Sequence, residues 1–185
     1  QHHSGTDPDV QVEMGLIGAI VVRPYGFDAL HPKAYGDPAS VFDREYLFVL
    51  SEMDPAIHDM VDFGDSFVGR EELGDYFSKY WFLNGRTAPD TMAAANVPWL
   101  AAQPYNILPR MNPGDRVLLR VVSAGRDLHP FHVHGNRSRV IARDGRLLTS
   151  APGAGVDLSY QVFTIQAVPG ETYDAIFEWT GRDLG

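Results

Sequence analysis

Tight turns built from proline and glycine recur along this sequence, and short apolar stretches separate them. Asn112-Pro-Gly-Asp115 has proline and glycine in the positions that a type II turn requires. Pro169-Gly170 repeats the pattern before the last apolar stretch. With 13 Pro and 18 Gly in the chain, turns are favoured over long helices. The pattern predicts many short strands, and therefore an antiparallel sandwich or barrel.

Alternation of side chains supports this all-β prediction. After the first turn, Val117, Leu119 and Val121 would point to one side of a strand. After the second turn, one face of the strand would carry Tyr173, Ala175, Phe177 and Trp179. Asp144-Gly145 predicts a hairpin turn between two further strands.

Three other predictions concern less regular parts of the chain. The apolar run Leu16–Val22 is short and β-rich, which predicts a buried strand. The mixed pattern of residues 54–78 predicts little beyond a short helix near residues 70–79. Core packing is predicted for the aromatic residues Tyr80, Trp81, Phe82, Trp99, Phe177 and Trp179.

Charge, cysteine content and hydropathy exclude several classes of function. The formal net charge of −9 would repel phosphate backbones, so we do not expect nucleic-acid binding. The longest apolar run, Leu16–Val22, is far shorter than the roughly 20 residues that cross a bilayer as a helix. The sequence has no cysteine, so the chain supplies neither a disulfide nor a thiolate metal ligand.

Three of the seven histidines lie within six residues, in the segment His129-Pro-Phe-His-Val-His-Gly135. Imidazole binds copper, zinc and iron, so the cluster predicts a metal site. In an extended chain, side chains two residues apart face the same way. His132 and His134 would therefore project together and His129 to the opposite side, so that one segment serves two metal positions. Pro130 lacks an N–H and must lie at a strand end or edge.

Two alternatives remain open from these residues alone. The histidines could be exposed or core-lining residues with ordinary hydrogen bonds, or they could form a mononuclear zinc site. Zinc hydrolases more often take a histidine pair from a helix with a nearby glutamate, and this segment contains no glutamate. His31 and His58 match no motif, and we expect them to be solvated or locally hydrogen-bonded.

The segment His129–Gly135 resembles the His-Pro-x-His-x-His-Gly motif of multicopper oxidases. The resemblance implies copper as the cofactor and a cupredoxin-like Greek-key β-sandwich or barrel as the fold. It also implies that His129 binds the mononuclear type-1 copper. His132 and His134 would belong to the trinuclear cluster, at its type-2 and type-3 positions. Further segments that resemble the family are 82–85 with 90–92, 112–120 and 167–177.

The same resemblance divides the chain into three parts. Residues 1–24 resemble the closing strand of a preceding cupredoxin domain. Residues 25–40 carry prolines at spaced intervals and are predicted to be a linker. Residues 41–185 would be a cupredoxin domain that lacks its last, cysteine-bearing segment.

The sequence departs from the family pattern at the type-1 cysteine and near the N-terminus. The cysteine ligand of a type-1 site is absent. Where the family has His-Cys or His-Ser-His, this chain has His3-Ser4-Gly5. His3 remains a candidate type-3 ligand. Met14 stands where an axial ligand would lie, and because Ser4 replaces cysteine we predict Met14 to be a core residue.

The resemblance implies a copper-dependent oxidoreductase that oxidises a phenolic or metal-ion donor and reduces O2 to water, with His129, His132 and His134 as its catalytic residues. A copper-binding electron-transfer or nitrite-reductase-like module and an inactive structural cupredoxin protein are the alternatives. We expect missing segments or other copies of the protein to complete the site, as in a homo-oligomer. A secreted or periplasmic location is expected from this function.

Overall fold

The computed structural model describes residues 1–64, 74–179 and 181. Strands dominate this part of the chain, as the turn pattern predicts. The elements in chain order are β1 (His2–His3), α1 (Pro8–Glu13), β2 (Ile17–Gly18), β3 (Arg44–Met53), α2 (Pro55–Phe63), β4 (Tyr80–Leu83), β5 (Arg116–Ser123), β6 (His129–His132), β7 (Ser138–Arg143), β8 (Arg146–Leu147), β9 (Tyr160–Val162), β10 (Thr164–Ala167) and β11 (Thr172–Glu178). Short 3-10 helices occupy Pro38–Ser40, Asp90–Met92 and Pro98–Leu100.

Two layers of strands enclose the main core. The larger sheet has seven strands in the order β4-β3-β5-β11-β7-β8, and β9 also pairs with β7. The second layer is the antiparallel pair of β6 and β10. The prediction of antiparallel pairing holds for the larger sheet except at one place, because β3 and β5 run parallel.

The predicted strand faces are confirmed by the packing. Val117, Leu119 and Val121 of β5 lie in one buried cluster with Ile165 and Ala167 of β10. Alternate residues of β11 face the same cluster. Because these residues are apolar, the alternation in the sequence predicts which face of β11 is buried. These residues are Tyr173, Ala175 and Phe177, and Trp179 packs against the edge of the cluster.

The predicted turns are also confirmed. The amide of Asp115 donates to the carbonyl of Asn112 over 3.0 Å, and Gly114 has a φ of 89°, which a type II turn reserves for glycine. Asp144 and Gly145 both have positive φ, as the hairpin between β7 and β8 requires.

The predicted strand over Leu16–Val22 is wrong for most of its length. Only Ile17 and Gly18 pair, with β1, and Val22 is 80% exposed. A strand needs a partner strand for its backbone groups, and among the described residues no strand pairs with residues 19–22. Helix α1, which the sequence analysis did not predict, begins at Pro8 and contacts α2 through Val10 and Ile57.

Helix α2 also was not predicted, although its boundaries are visible in the sequence. Asp54 accepts a hydrogen bond from the amide of Ala56 at the N-terminus, Pro55 is the first helical residue, and Gly64 ends the helix with a φ of 70°. The helix predicted near residues 70–79 falls partly on residues 65–73, which lie outside the described residues. Residues 74–79 contain a turn and no helix.

The segment predicted as a linker packs against the outer face of the larger sheet. Ala34 of this segment is 3% exposed, and with Phe42, which follows the segment and is 5% exposed, it forms a second cluster with Leu118, Ile141 and Ile176. The larger sheet is therefore covered on both faces. Within the described residues, no helix has the length and apolar character that a membrane crossing requires.

A network of charged side chains holds the outer face together. The guanidinium of Arg120 donates to Asp174 over 2.7 Å and also to Glu45. Tyr35, from the covering segment, donates its hydroxyl to the same carboxyl of Asp174, and Arg23 pairs with Glu45. Burial raises the pKa of Tyr35, and the nearby carboxyl of Asp174 raises it further.

We expect alkaline pH to weaken this network. Because the pKa of Tyr35 is raised in the folded chain, its contribution is complete below the unfolded value of about 10 and is lost as the pH rises above it. The free energy of unfolding should fall by up to about 1.4 kcal/mol per pH unit from this group. Urea unfolding between about pH 9 and pH 11 should show a shallower fall for Tyr35→Phe than for the exposed control Tyr25→Phe. If the free energy of unfolding fell equally with pH in the two variants, the loss of stability could not be attributed to Tyr35.

Candidate metal centre

Strand β6 carries the first part of the histidine segment and pairs with β10 alone among the described strands, so it is an edge strand. Pro130, whose missing N–H requires such a position, is accommodated there as predicted. Side chains alternate along the segment. His129 and Phe131 turn inward, and Phe131 packs on Phe48 with ring centroids 4.9 Å apart. His132 turns outward.

The outward face brings two histidine rings together. The ring centroids of His132 and His134 are 4.9 Å apart, and both side chains are exposed. Nδ1 of His132 lies 2.9 Å from the carbonyl oxygen of Phe163 and 3.0 Å from the hydroxyl of Thr164. Because the carbonyl can only accept, Nδ1 carries the proton and Nε2 keeps its lone pair for a metal.

His129 lies in a different environment on the inward face. Its side chain is buried, with 6% of the residue exposed. Nε2 lies 2.6 Å from Oε2 of Glu52, and the edge of the ring meets Trp81 at a centroid distance of 5.2 Å. The prediction that one segment turns its histidines to two sides is confirmed by this geometry.

Glu52 itself is buried and fully engaged. Its Oε1 accepts hydrogen bonds from the backbone amides of Arg126 and Asp127, the latter over 2.9 Å. Burial alone would raise its pKa, but the hydrogen bonds from His129 and from the two amides lower the pKa below its ordinary value. A Cβ atom at Gly125 would overlap the carboxylate of Glu52, so glycine is needed at that position.

Sequence reasoning missed Glu52, although a signal was present. Glu52 has the same strand parity as Phe48 and Leu50, which are buried in the core. A charged residue on the buried face of an apolar strand requires a partner. The candidate partner, His129, lies 77 positions later in the sequence, so its identity depended on the tertiary structure.

The remaining histidines lie elsewhere. Nδ1 of His3 is 2.7 Å from the carbonyl of Ser4 at the surface, and no described contact joins His3 to the other candidate ligands. His31 pairs with Asp28 three residues away, as expected for a locally bonded histidine, whereas His58 contacts Glu13 of α1, 45 positions earlier. No group of three histidine, aspartate or glutamate side chains suited to a metal occurs among residues 1–64, 74–179 and 181.

The prediction of core packing is wrong for four residues. Met14 is 36% exposed and borders a cavity of about 650 Å³ between the N-terminal segment and β3. Tyr80, Trp81 and Trp99 are 50%, 49% and 69% exposed. Trp81 lies on the edge strand β4, where half of an aromatic ring can cover His129 while the rest meets water.

The donor atoms fit a metal of the copper or zinc type at the outward pair. Two imidazoles present there are ligands for both metals, and the carbonyl of Phe163 supports His132 in the manner usual for metal-binding histidines. At His129, by contrast, the sequence provides no thiolate, which a type-1 copper site requires.

Comparison with known proteins identifies the fold. The sequence matches no protein-family model, and it matches no curated protein. Among solved structures, the chain is similar to Fet3p, a multicopper oxidase that functions in iron import, with a TM-score of 0.59. The identity is 20% over 94% of this chain and 26% of Fet3p.

Two further structures have the same architecture. Copper nitrite reductase from Nitrosomonas europaea matches with a TM-score of 0.54 and 19% identity, over 96% of this chain and 51% of that one. Laccase from Botrytis aclada matches with a TM-score of 0.50 and 18% identity, over 76% of this chain and 24% of that one. The chain thus has the cupredoxin fold of these copper proteins, as the sequence resemblance implies, and it spans about half of their length or less.

Proposed function

We propose that this chain is part of a copper-dependent oxidoreductase of the multicopper oxidase type. The observation that carries the proposal is the side-by-side arrangement of His132 and His134 on the outward face of an edge strand, with Nδ1 of His132 tied to a carbonyl. The fold of known copper proteins supports copper over zinc as the metal.

In this proposal, His132 and His134 hold copper together with ligands from outside the described residues. Copper held there would supply one-electron redox chemistry toward O2. The chain's own contribution is to fix the ligand rings. Phe163 and Thr164 orient His132, and strand β10, which begins at Thr164, is anchored in the core through Ile165. His129 would serve a second copper position on the inward side.

The remaining parts of the proposal concern partners and organisation. A phenol or a reduced metal ion is the proposed electron donor, and the protein is proposed to act outside the cytoplasm. Residues 1–24 are proposed to close a preceding cupredoxin domain, residues 25–40 to link it, and residues 41–185 to form most of the next domain. His3 is proposed as a further copper ligand at the junction with other segments or copies.

A nitrite-reductase-like function is the second candidate. One observation favours it: the likeness to the copper nitrite reductase covers 96% of this chain, slightly more than the likeness to Fet3p. Such a protein would pass electrons to nitrite and would show little oxygen uptake.

Oxygen uptake by the copper-loaded protein tests the choice between these functions. We expect 2,6-dimethoxyphenol or Fe(II) to drive oxygen consumption in an oxygen electrode, and we expect this consumption to disappear after copper is removed by a chelator. The control is the His132→Ala, His134→Ala variant of the same protein, treated with copper in the same way. Full copper loading without oxygen consumption from any donor would contradict the oxidase proposal, and nitrite consumption instead would support the second candidate.

A further inference from the structure

Glu52 stands out because a carboxylate on the core face of a strand is costly to bury. Its side chain has no exposed surface, and its neighbours on that face of β3, Phe48 and Leu50, belong to the main core. A buried charge of this kind is retained when it is fully hydrogen-bonded. Glu52 meets that condition through three donors, of which His129 is one.

The directions of these hydrogen bonds determine where the proton of His129 lies. Oε1 is occupied by the backbone amides of Arg126 and Asp127, so Oε2 is left to face Nε2 of His129 at 2.6 Å. An ionised carboxylate can only accept. Nε2 must therefore carry a proton, and in a neutral imidazole the other nitrogen, Nδ1, then keeps its lone pair.

Two neighbouring residues make the arrangement specific. Gly125 leaves the space that the carboxylate fills, since a Cβ atom there would overlap Oε2 of Glu52. Trp81 meets the ring of His129 edge-on at 5.2 Å and restricts its rotation. Glu52, Gly125 and Trp81 come from three separate parts of the chain, and each constrains the same imidazole.

We infer that Glu52 is a positioning residue that holds His129 in the Nε2-protonated tautomer and so presents Nδ1 as the nitrogen that binds metal. The statement about the tautomer concerns the chain itself, whereas the statement about metal rests on the proposed function. Carboxylate partners of this kind fix the ring orientation of metal-binding histidines and raise the basicity of the other nitrogen.

Nitrogen-15 NMR of the histidine rings tests the inference in the metal-free chain. In a spectrum taken at about pH 8, we expect His129 to show a protonated Nε2 and an unprotonated Nδ1. In Glu52→Gln, the amide oxygen should keep the backbone amides of Arg126 and Asp127, which turns the NH2 group toward Nε2. The proton should then move to Nδ1, so that the tautomer is reversed.

A second variant and a control separate positioning from general damage. Gly125→Ala keeps the carboxylate but displaces it, and it should mix the two tautomers of His129. Glu178→Gln makes the same chemical change at an exposed carboxylate that pairs with Arg116, and it should leave His129 unchanged. Backbone NMR spectra establish that each variant is folded. A wild-type ring without the Nε2-protonated form, or a folded Glu52→Gln chain with an unchanged tautomer, would overturn the inference.

Addition of Cu(I) distinguishes this inference from the proposed function. We expect Cu(I), which is diamagnetic, to shift the Nδ1 resonance of His129 in the wild-type chain and to shift it much less in Glu52→Gln. If the tautomer behaves as expected but Cu(I) leaves Nδ1 unmoved, Glu52 still positions the ring and the assignment of His129 as a copper ligand fails.

Discussion

Replacing His134 with alanine is expected to lower the affinity of the chain for Cu(II) by more than the roughly 10- to 100-fold that loss of an outer-shell partner costs. The reason is that His132 and His134 are the two imidazoles that the structure brings together on one face, with ring centroids 4.9 Å apart. Removing either ring leaves a single donor, and a single exposed imidazole binds copper weakly.

The measurement is a Cu(II) titration followed by electron paramagnetic resonance, in which nitrogen hyperfine couplings count the bound imidazoles. The wild-type chain should show a tight site with two nitrogen ligands, and His134→Ala should lose it. His31→Ala is the matched control, because His31 is an exposed histidine that pairs only with Asp28 in the described structure. Equal affinity in wild type and His134→Ala would show that the pair does not bind copper.

Replacing Asp174 with alanine is expected to destabilise the fold by about 3 kcal/mol, near the lower end of the range for breaking a buried ion pair. Asp174 accepts from both Arg120 and Tyr35 on the outer face of the sheet, and its removal leaves a largely buried guanidinium with Glu45 as its remaining acidic partner. For a chain of this size the melting temperature should fall by roughly 6–12 °C.

Glu178→Ala provides an unusually close control for this prediction. Both carboxylates lie on β11, and each pairs with an arginine of β5 at a distance of 2.7 Å. The pair of Glu178 with Arg116 is exposed, so its loss should cost at most about 1 kcal/mol. Thermal and urea unfolding of the two variants give the comparison. Similar losses in both would mean that burial does not strengthen the Asp174 network.

The elements that the sequence predicts correctly are those with a regular local pattern. In β5 and β11 every second residue is apolar, and the turn at 112–115 has proline and glycine where the backbone requires them. The run Leu16–Val22 failed because apolar composition alone does not provide a partner strand. Helix α1 was missed because six residues are too few to show a helical period.

In the candidate site, too, the features that depend on local spacing could be predicted from the sequence, and the contacts between distant residues could not. The spacing of the segment His129–His134 is enough to place two rings on one side and one on the other, because side chains alternate in an extended chain. The partners of these rings could not be predicted. Glu52 reaches His129 across 77 positions, and Phe163 reaches His132 across 31.

The sequence by itself determined the all-β architecture, the strand faces and the three-histidine segment, since each depends on residues close to one another in the chain. Only the tertiary structure decided which nitrogen of His129 and of His132 is engaged, because that depends on hydrogen-bond acceptors supplied by distant parts of the chain. It also decided that the proline-rich segment 25–40 covers the sheet through Ala34 and Tyr35. Local sequence patterns determine which side chains share a strand face. Contacts between residues distant in sequence determine which ring nitrogen is protonated and which charged side chains form pairs.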